Sequence, residues 1–124
     1  MTVTLDSSAW IEFFSGSKSG VFVKKYIESN ETIYTPVIDL MEIKNKYMRE
    51  NKNWKNRIEF ICERSIIIDV NSSVSLEAAT IKKKYGLHTI DALVYASAQS
   101  MKSKLITKDH HFKNLAEVII LDSN

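Results

Sequence analysis

Four acidic residues lie in widely separated segments of the sequence and are the side chains best suited to chemistry. Asp6 and Asp109 each follow a short apolar segment, Asp91 comes shortly after Gly86, and Glu42 lies in a long segment with helical spacing. Carboxylate oxygens bind hard divalent cations, so Mg²⁺ or Mn²⁺ is the expected occupant of a site that they form together. A pair of such ions about 3.5–4 Å apart can activate a water and stabilise the leaving oxygen of a phosphodiester. The residues therefore predict metal-dependent hydrolysis of a polyanionic substrate.

Each of the four acids also has a purely structural explanation. Asp6 could cap the next helix and Asp91 could offset a helix dipole, while Asp109 could sit in a turn. Glu42 could lie on an exposed helix face. Their joint placement favours a site, because ligands of open parallel sheets bind beyond the carboxyl ends of the strands, where the strand order reverses. Carboxylates brought so close repel one another unless protons or cations offset their charge.

The elements that must position these acids alternate between strand and helix. Apolar segments predict strands at residues 3–5, 32–35, 66–68, 104–107 and 118–121. Helical spacing predicts helices from 7 or 8 to about 16 and at 19–28, 36–49, 54–63, 73–85 and from 89 onward. Pro36 suits a first helical position, Gly86 a C-terminal cap and Thr89 an N-cap. The β-branched run Ile66–Ile68 indicates a strand buried on both faces in the sheet interior. This alternation predicts an α/β fold with helices on both sides of a parallel sheet.

The composition is typical of one globular domain. With 124 residues, of which 44% are hydrophobic and 26% charged, the chain is expected to form a single domain over residues 1–124. No segment has the pattern of a secretion signal or approaches the roughly 18 apolar residues that span a bilayer, so no membrane partner is expected. The single cysteine, Cys62, cannot form an internal disulfide, which suits the cytoplasm. We expect it to be a buried structural thiol.

Basic residues cluster in two places. The first cluster lies between positions 44 and 57 and is opposed there only by Glu50, and the second consists of Lys82, Lys83 and Lys84. Such clusters could follow a phosphate backbone, or they could be solvated helix faces. If a metal neutralised the four acids named above, the net charge of +2 would become +6. The metal-loaded protein would then be distinctly basic, which is consistent with a polyanionic substrate.

Four segments of the sequence resemble, in the same order, the signature stretches of the PIN domain family. The segments are residues 5–9 (LDSSA), 35–43 (TPVIDLMEI), 89–93 (TIDAL) and 105–112 (LITKDHHF). Any one of these motifs is weakly specific, whereas the ordered set is specific, and the resemblance covers essentially the whole chain. In length as well as motif, the chain is most similar to the small VapC-type toxins of prokaryotic toxin–antitoxin pairs.

The resemblance implies a three-layer α/β/α fold with a five-stranded parallel sheet. It also implies that the protein is an Mg²⁺- or Mn²⁺-dependent endoribonuclease that cuts single-stranded or unpaired RNA. Position by position, it assigns the catalytic and metal-binding roles to Asp6, Glu42, Asp91 and Asp109. Ser7 or Ser8, together with Thr107, match the hydroxyl residues that support the acids.

The resemblance leaves two positions near the acids open. Asp39 shares a helix face with Glu42 and either adds to the site or merely lies near it. His111 stands where relatives often carry a further acid. It could be a metal ligand, a phosphate contact or a turn histidine without a special role.

The resemblance also implies two protein partners, a small antitoxin and a second copy of the chain in a homodimer. Toxins of this type bind an antitoxin segment in an apolar groove near the first helices. The sequence is rich in aromatic residues there, which could serve the core or an interface: Trp10, Phe13, Phe14, Phe22 and Tyr26.

Two other functions are compatible with a similar architecture. Asp69 after the Ile66–Ile68 strand and Lys108 after a later strand suggest a receiver-like phosphoacceptor, although Asp6 lacks the acidic neighbour that such a domain needs. A catalytically silent PIN-like module that only binds RNA or protein is the second alternative. Four clustered negative charges would hinder RNA binding by such a module, so the acids favour the nuclease.

Overall fold

The computed structural model describes residues 2–121. In chain order its elements are β1 (Thr2–Leu5), α1 (Ser7–Ser15), α2 (Lys18–Ile27), β2 (Thr32–Pro36), α3 (Val37–Arg49), α4 (Lys55–Arg64), β3 (Ile66–Ile68), α5 (Ser72–Tyr85), α6 (Thr89–Ser100), β4 (Lys104–Thr107), a 3₁₀ turn (His110–Phe112) and β5 (Val118–Ile120). The predicted alternation of strands and helices is confirmed. Among the described residues, no helix combines the length and apolarity required to cross a bilayer.

The five strands form one parallel sheet in the order β3-β2-β1-β4-β5. The central strand β1 pairs with β2 on one side, where Val3 lies opposite Ile33, and with β4 on the other, where Leu5 lies opposite Ile106. The chain moves outward from β1 to β3 and then returns to the far side of β1 as β4. The strand order therefore reverses between β1 and β4, and the crevice beyond their carboxyl ends is where this architecture binds ligands.

Helices cover both faces of the sheet, which confirms the three-layer α/β/α prediction. Val3 and Leu5 of β1 pack in a core with residues of helices α1 to α4. Leu105 of β4 belongs to a second core, formed with α5, α6 and Phe112. Side chains of successive strand residues point to opposite faces, so the central strands supply both cores. Trp10 is 0% exposed and its indole N–H donates to the Thr35 hydroxyl (3.0 Å), so it is a core residue.

Three sequence-based predictions require correction. The strand Ile66–Ile68 is the edge strand β3 and not an interior strand, and Ile66 is 54% exposed. An apolar run predicts that a strand is buried, but it does not determine how many strands pair with it. Within residues 2–121, β3 pairs only with β2. Cys62 is exposed, because it lies on the outer side of α4 while its neighbour Ile61 enters the core.

The third correction concerns helix starts. Pro36 ends β2 and precedes the first residue of α3, and His88 occupies the N-cap position that was predicted for Thr89. The C-terminal caps follow the predictions more closely. Gly16 and Gly86 end α1 and α5 in the left-handed conformation that glycine adopts without strain.

Candidate active site

The four predicted acids converge at the edge of the sheet where the strand order reverses. Asp6 directly follows β1 and Asp109 follows β4 after one intervening residue, while Glu42 and Asp91 come from α3 and α6. Burial raises the pKa of Asp6, Glu42 and Asp91, and the charge of Asp109 raises each pKa further. Four side chains that are remote along the sequence therefore share one electrostatic environment.

Asp6 is almost completely buried and is held by three donors. Its Oδ1 accepts from the Ala9 backbone N–H (3.0 Å) and the Ser8 hydroxyl (2.7 Å), and its Oδ2 accepts from the Thr107 hydroxyl. Burial raises the pKa of Asp6 from its ordinary value of 3.8 to about 6, although the three hydrogen bonds oppose the rise and the charge of Asp109 adds to it. Asp6 is thus the N-cap of α1 as well as a member of the acidic group.

Two hydroxyl residues tie the end of β1 to the end of β4. The Thr107 hydroxyl, which donates to Asp6, accepts from the Asp109 backbone N–H (2.9 Å). The Ser8 hydroxyl, which also donates to Asp6, accepts from the Lys108 backbone N–H (2.9 Å). These bonds fix the position of Asp6 relative to Asp109, as expected for hydroxyl residues that support the acids.

Glu42 and Asp91 are partly buried, and they reach the site from helices α3 and α6. Glu42 Oε1 accepts from the Ser7 hydroxyl (3.1 Å), so both of the adjacent serines contact an acid. Burial raises the pKa of Glu42, the charges of Asp91 and Asp109 raise it further, and the Ser7 hydrogen bond opposes the rise. For Asp91, burial and the charge of Asp109 raise the pKa, while His111 and His88 lower it.

Asp39 is a fifth acid of this group, and the sequence left its role open. Its side chain is fully buried, and neither carboxylate oxygen has a hydrogen-bond partner within the described residues. Burial raises the pKa of Asp39 well above its ordinary value, and the charges of Asp6 and Glu42 raise it further. The backbone N–H of Ser7 offsets part of this rise without reaching hydrogen-bond geometry. A buried carboxylate without a partner is tolerated only if a proton or a cation compensates its charge.

His111 also joins the group, although it lies in an exposed turn. Its Nδ1 is 3.3 Å from Asp109 Oδ1 and 3.4 Å from Asp91 Oδ2. Ligand atoms of these three residues lie within 4.8 Å of one another. The sequence left the role of His111 open, because its spacing two residues after Asp109 does not reveal the direction of its ring.

The donor set fits a divalent cation. It consists of carboxylate oxygens and one imidazole nitrogen, and the buried carboxyl of Asp39 nearby has no hydrogen-bond partner within the described residues. Oxygen ligands of this kind bind Mg²⁺ and Mn²⁺. The arrangement can therefore hold a cation and present it at the open edge of the crevice.

The residues proposed for a phosphoacceptor are not brought together. Asp69 is exposed after the edge strand β3, and β2 separates β3 from β1. Lys108 lies beside β1 instead, where its Nζ contacts Glu12 Oε1 (2.8 Å). The receiver-like alternative therefore lacks its site in this fold.

A charged groove of about 330 Å³ lies along α1 and α3. Lys46, four residues after Glu42, lines it and lies on the same helix face. Arg57 also lines the groove, with its guanidinium 4.3 Å from the centre of the Tyr47 ring. Glu12 and Glu50 lie in the groove and pair with Lys108 and Lys46, so part of its basic charge is already neutralised. The four acids do not line the groove, and Lys46 places one end of it a helical turn beyond Glu42.

Comparison with protein families gives one match, to the PIN domain, over residues 3–118. No functionally curated protein matches the chain significantly.

Several solved structures share the fold. The chain superposes on a toxin–antitoxin complex from Klebsiella pneumoniae with a TM-score of 0.82 and 20% identity, covering 98% of this chain and 99% of the other. The VapBC2 complex of Rickettsia felis bound to a promoter DNA fragment gives 0.74 and 19%, with 97% of each chain covered. The VapC20 toxin of Mycobacterium tuberculosis, described as cleaving the sarcin–ricin loop, gives 0.72 and 13%, covering 97% of this chain and 99% of that toxin. At such identities these likenesses show the fold alone.

Proposed function

This chain belongs to the PIN domain family, and from that premise we propose that it is a divalent-metal-dependent endoribonuclease, the toxin of a toxin–antitoxin pair. The observation that carries the proposal is the convergence of Asp6, Glu42, Asp91 and Asp109 in the crevice where the strand order reverses. A protein that only bound RNA would gain nothing from four acids facing the phosphates, because they repel a polyanion.

Each acid has a proposed role as a ligand. Asp6 and Asp91 hold the principal Mg²⁺ or Mn²⁺, and Glu42 and Asp109 complete its shell or recruit a second ion with the substrate. When bound, the ion lowers the pKa of a water and stabilises negative charge on the phosphodiester. The residues of the chain orient and charge the site: Thr107 fixes the carboxylate of Asp6, and Ser7 fixes that of Glu42.

RNA is the proposed substrate, cut where it is unpaired. The groove one helical turn from Glu42 supports this choice, because Arg57 lines it with its guanidinium over the Tyr47 ring. Cations favour the phosphates, and stacked guanidinium groups favour exposed bases. A toxin of similar fold from Mycobacterium tuberculosis is described as cleaving the sarcin–ricin loop, which is consistent with the proposal.

Two protein partners are part of the proposal, an antitoxin and a second copy of the chain. Structures of similar fold are complexes of a toxin with its antitoxin. Trp10 is unsuited to a partner contact because it is buried, whereas Phe22 and Phe60 are exposed and Phe14 is partly exposed. These three rings, and not Trp10, are the aromatic residues that we propose for an interface.

The proposal is tested with metal-free protein, to which Mg²⁺ or Mn²⁺ is added before incubation with a mixed RNA pool. We expect cleavage only with metal, and reversal by a chelator. The same titration should raise Tm, since a ligand at about 100 times its Kd stabilises the folded state by about 2.7 kcal/mol. Metal binding without cleavage of any RNA would instead support a silent binding module, and cleavage that persists in a chelator would contradict the metal dependence.

Thr107→Val is expected to lower the rate of cleavage by about tenfold to a hundredfold, the usual loss when a group that orients a metal ligand is removed. The change removes the hydroxyl that donates to Asp6 and accepts from the Asp109 backbone N–H, while keeping the shape of the side chain. The measurement is the cleavage rate at saturating metal, with metal affinity determined in parallel.

Thr4→Val is the matched control for this variant. Thr4 is also a buried strand threonine, and its hydroxyl donates to Ser103 (2.9 Å) away from the acids. Thr4→Val loses one hydrogen bond, whereas Thr107→Val loses the bonds to Asp6 and from the Asp109 N–H, so the Tm of both variants is measured and their cleavage rates are compared well below either Tm. Equal cleavage rates in the two variants would rule out a positioning role for Thr107.

A further inference from the structure

His111 is the one nitrogen ligand that faces the acids within hydrogen-bonding range among the described residues. Its Nδ1 lies 3.3 Å from Asp109 Oδ1 and 3.4 Å from Asp91 Oδ2. Two ligands at right angles, each about 2.1 Å from an ion, are about 3 Å apart. Nδ1 is thus spaced from each of the two oxygens much as neighbouring ligands of one cation would be, and ligand atoms of the three residues lie within 4.8 Å of one another.

The backbone holds His111 in this place even though its side chain is 61% exposed. Asp109 Oδ1 accepts from the His111 backbone N–H (2.9 Å), and Phe112, the next residue, is buried in the core formed with α5 and α6. The His88 ring meets the His111 ring edge to face, with centroids 5.4 Å apart. The turn is therefore anchored on both sides of His111, and its ring is supported by a neighbour.

An imidazole nitrogen between two carboxylate oxygens needs a proton or a metal ion to share with them. A bare nitrogen lone pair would repel both oxygens, so either a proton or a metal ion must lie between the three atoms. A metal ion that takes this position binds the neutral imidazole and replaces the proton. The two carboxylates alone would form an oxygen-only set suited to Mg²⁺.

We propose that Nδ1 of His111 is a direct metal ligand together with Asp91 and Asp109, and that this nitrogen makes the site prefer Mn²⁺ to Mg²⁺. Mg²⁺ binds oxygen almost exclusively and dehydrates reluctantly, whereas first-row transition ions accept imidazole readily. The inference rests on the proposed metal-dependent function and adds to it the identity of the preferred ion and a fifth candidate ligand.

The test measures metal binding without using activity. Metal-free protein is loaded with Mn²⁺, and electron spin-echo modulation is used to detect a directly bound ¹⁴N. We expect modulation from one nitrogen in the wild type, its loss in His111→Asn, and its retention in His110→Asn and His88→Asn. His110 is the matched control, because it is the adjacent, exposed histidine of the same turn.

Affinities from calorimetry provide the second measurement. His111→Asn should weaken Mn²⁺ binding by about tenfold or more, in line with the loss of a ligand or its support, and should change Mg²⁺ binding by less than about twofold. His111→Asp should restore an oxygen-only set and shift the preference toward Mg²⁺.

The outcomes separate this inference from the proposed function. Bound Mn²⁺ without nitrogen modulation, or equal Mn²⁺ affinity in wild type and His111→Asn, overturns the role of His111 and leaves the nuclease proposal intact. Nitrogen modulation in a protein that cleaves no RNA overturns the nuclease proposal and supports the role of His111. No binding of either ion by the wild type overturns both.

Discussion

Asp91→Asn is expected to lower the rate of RNA cleavage by at least about a hundredfold to a thousandfold, the range seen when a group that stabilises transition-state charge is removed. The amide keeps the size of the side chain but loses the charge that a cation requires. Asp91 lies in the first turn of α6, and one of its carboxylate oxygens is within 4.8 Å of ligand atoms of Asp109 and His111. The loss should therefore appear in metal affinity as well as in the cleavage rate.

The fold of this variant should remain intact, which distinguishes a lost ligand from a damaged structure. Burial and the charge of Asp109 raise the pKa of Asp91, so its charged form is disfavoured in the folded, metal-free protein. We expect Tm of Asp91→Asn in a chelator to equal or exceed that of the wild type, and we expect added Mn²⁺ to raise it less.

Asp69→Asn is the matched control for Asp91→Asn. Asp69 is an exposed aspartate that follows a strand of the same sheet, but it follows the edge strand β3. Its replacement should leave metal affinity and cleavage unchanged. Cleavage by Asp91→Asn at the wild-type rate would remove the proposed ligand set, and equal losses in both variants would point to a general effect of charge.

The residues at strand ends were the part of the site that could be predicted from sequence. Asp6 and Asp109 follow apolar segments, and the carboxyl ends of adjacent parallel strands meet at one edge, so convergence follows once the strands are recognised. Glu42 and Asp91 lie on helices, where periodicity defines a face but not the neighbour that the face meets. For these two acids the sequence pattern only suggested that they could reach the same edge of the sheet, and the family resemblance assigned their roles.

Asp39 and His111 show what a sequence pattern does not contain. Asp39 lies one turn before Glu42, and whether it points to solvent or into the site depends on how α3 packs against α1 and the sheet. The direction of the His111 ring depends on a turn closed by Asp109 and on the burial of Phe112. Both are consequences of tertiary packing and not of local propensity.

The position of β3 was missed for a related reason. Three consecutive isoleucines predict a strand correctly, but the number of neighbouring strands depends on the order in which the chain adds them. After β3 the chain returns to the far side of β1, so none of the later strands among residues 2–121 covers the outer edge of β3. Edge position and exposure of Ile66 thus follow from topology, which the isoleucine run does not encode.

In the metal-free protein, the hydrogen-bond donors around Asp6 offset only part of the cost of burying its charge. Thr107, Ser8 and the Ala9 N–H all favour the charged form of Asp6, yet burial outweighs them and the pKa of Asp6 still rises to about 6. A site that is fully neutralised by its own hydrogen bonds would bind a cation weakly. A divalent ion would compensate the remaining negative charge. The same charge should therefore both favour metal binding and lower the free energy of unfolding of the metal-free protein.

Asp6→Asn is accordingly expected to stabilise the metal-free protein at pH 7. The pKa of Asp6 is raised by burial from 3.8 to about 6 in the folded state, and one pKa unit corresponds to about 1.4 kcal/mol. In the wild type, the free energy of unfolding should therefore fall by about 3 kcal/mol as the pH rises from about 4 to above 6. Asn keeps the N-cap acceptor for the Ala9 N–H and carries no charge, so the variant should lack this contribution.

The measurement is urea unfolding in a chelator at several pH values between 4 and 8, for Asp6→Asn, the wild type and Asp69→Asn. The difference between Asp6→Asn and the wild type should be smallest at pH 4, where Asp6 is protonated in the folded chain and about half ionised in the unfolded chain, and should grow through pH 6. Asp39 contributes in the same direction, since burial raises its pKa well above the ordinary value and the charge of Asp6 adds to that rise. Removing the charge of Asp6 should thus also lower the pKa of Asp39. A difference that stays constant across this range would mean that burial does not disfavour the charged form of Asp6 in the folded protein.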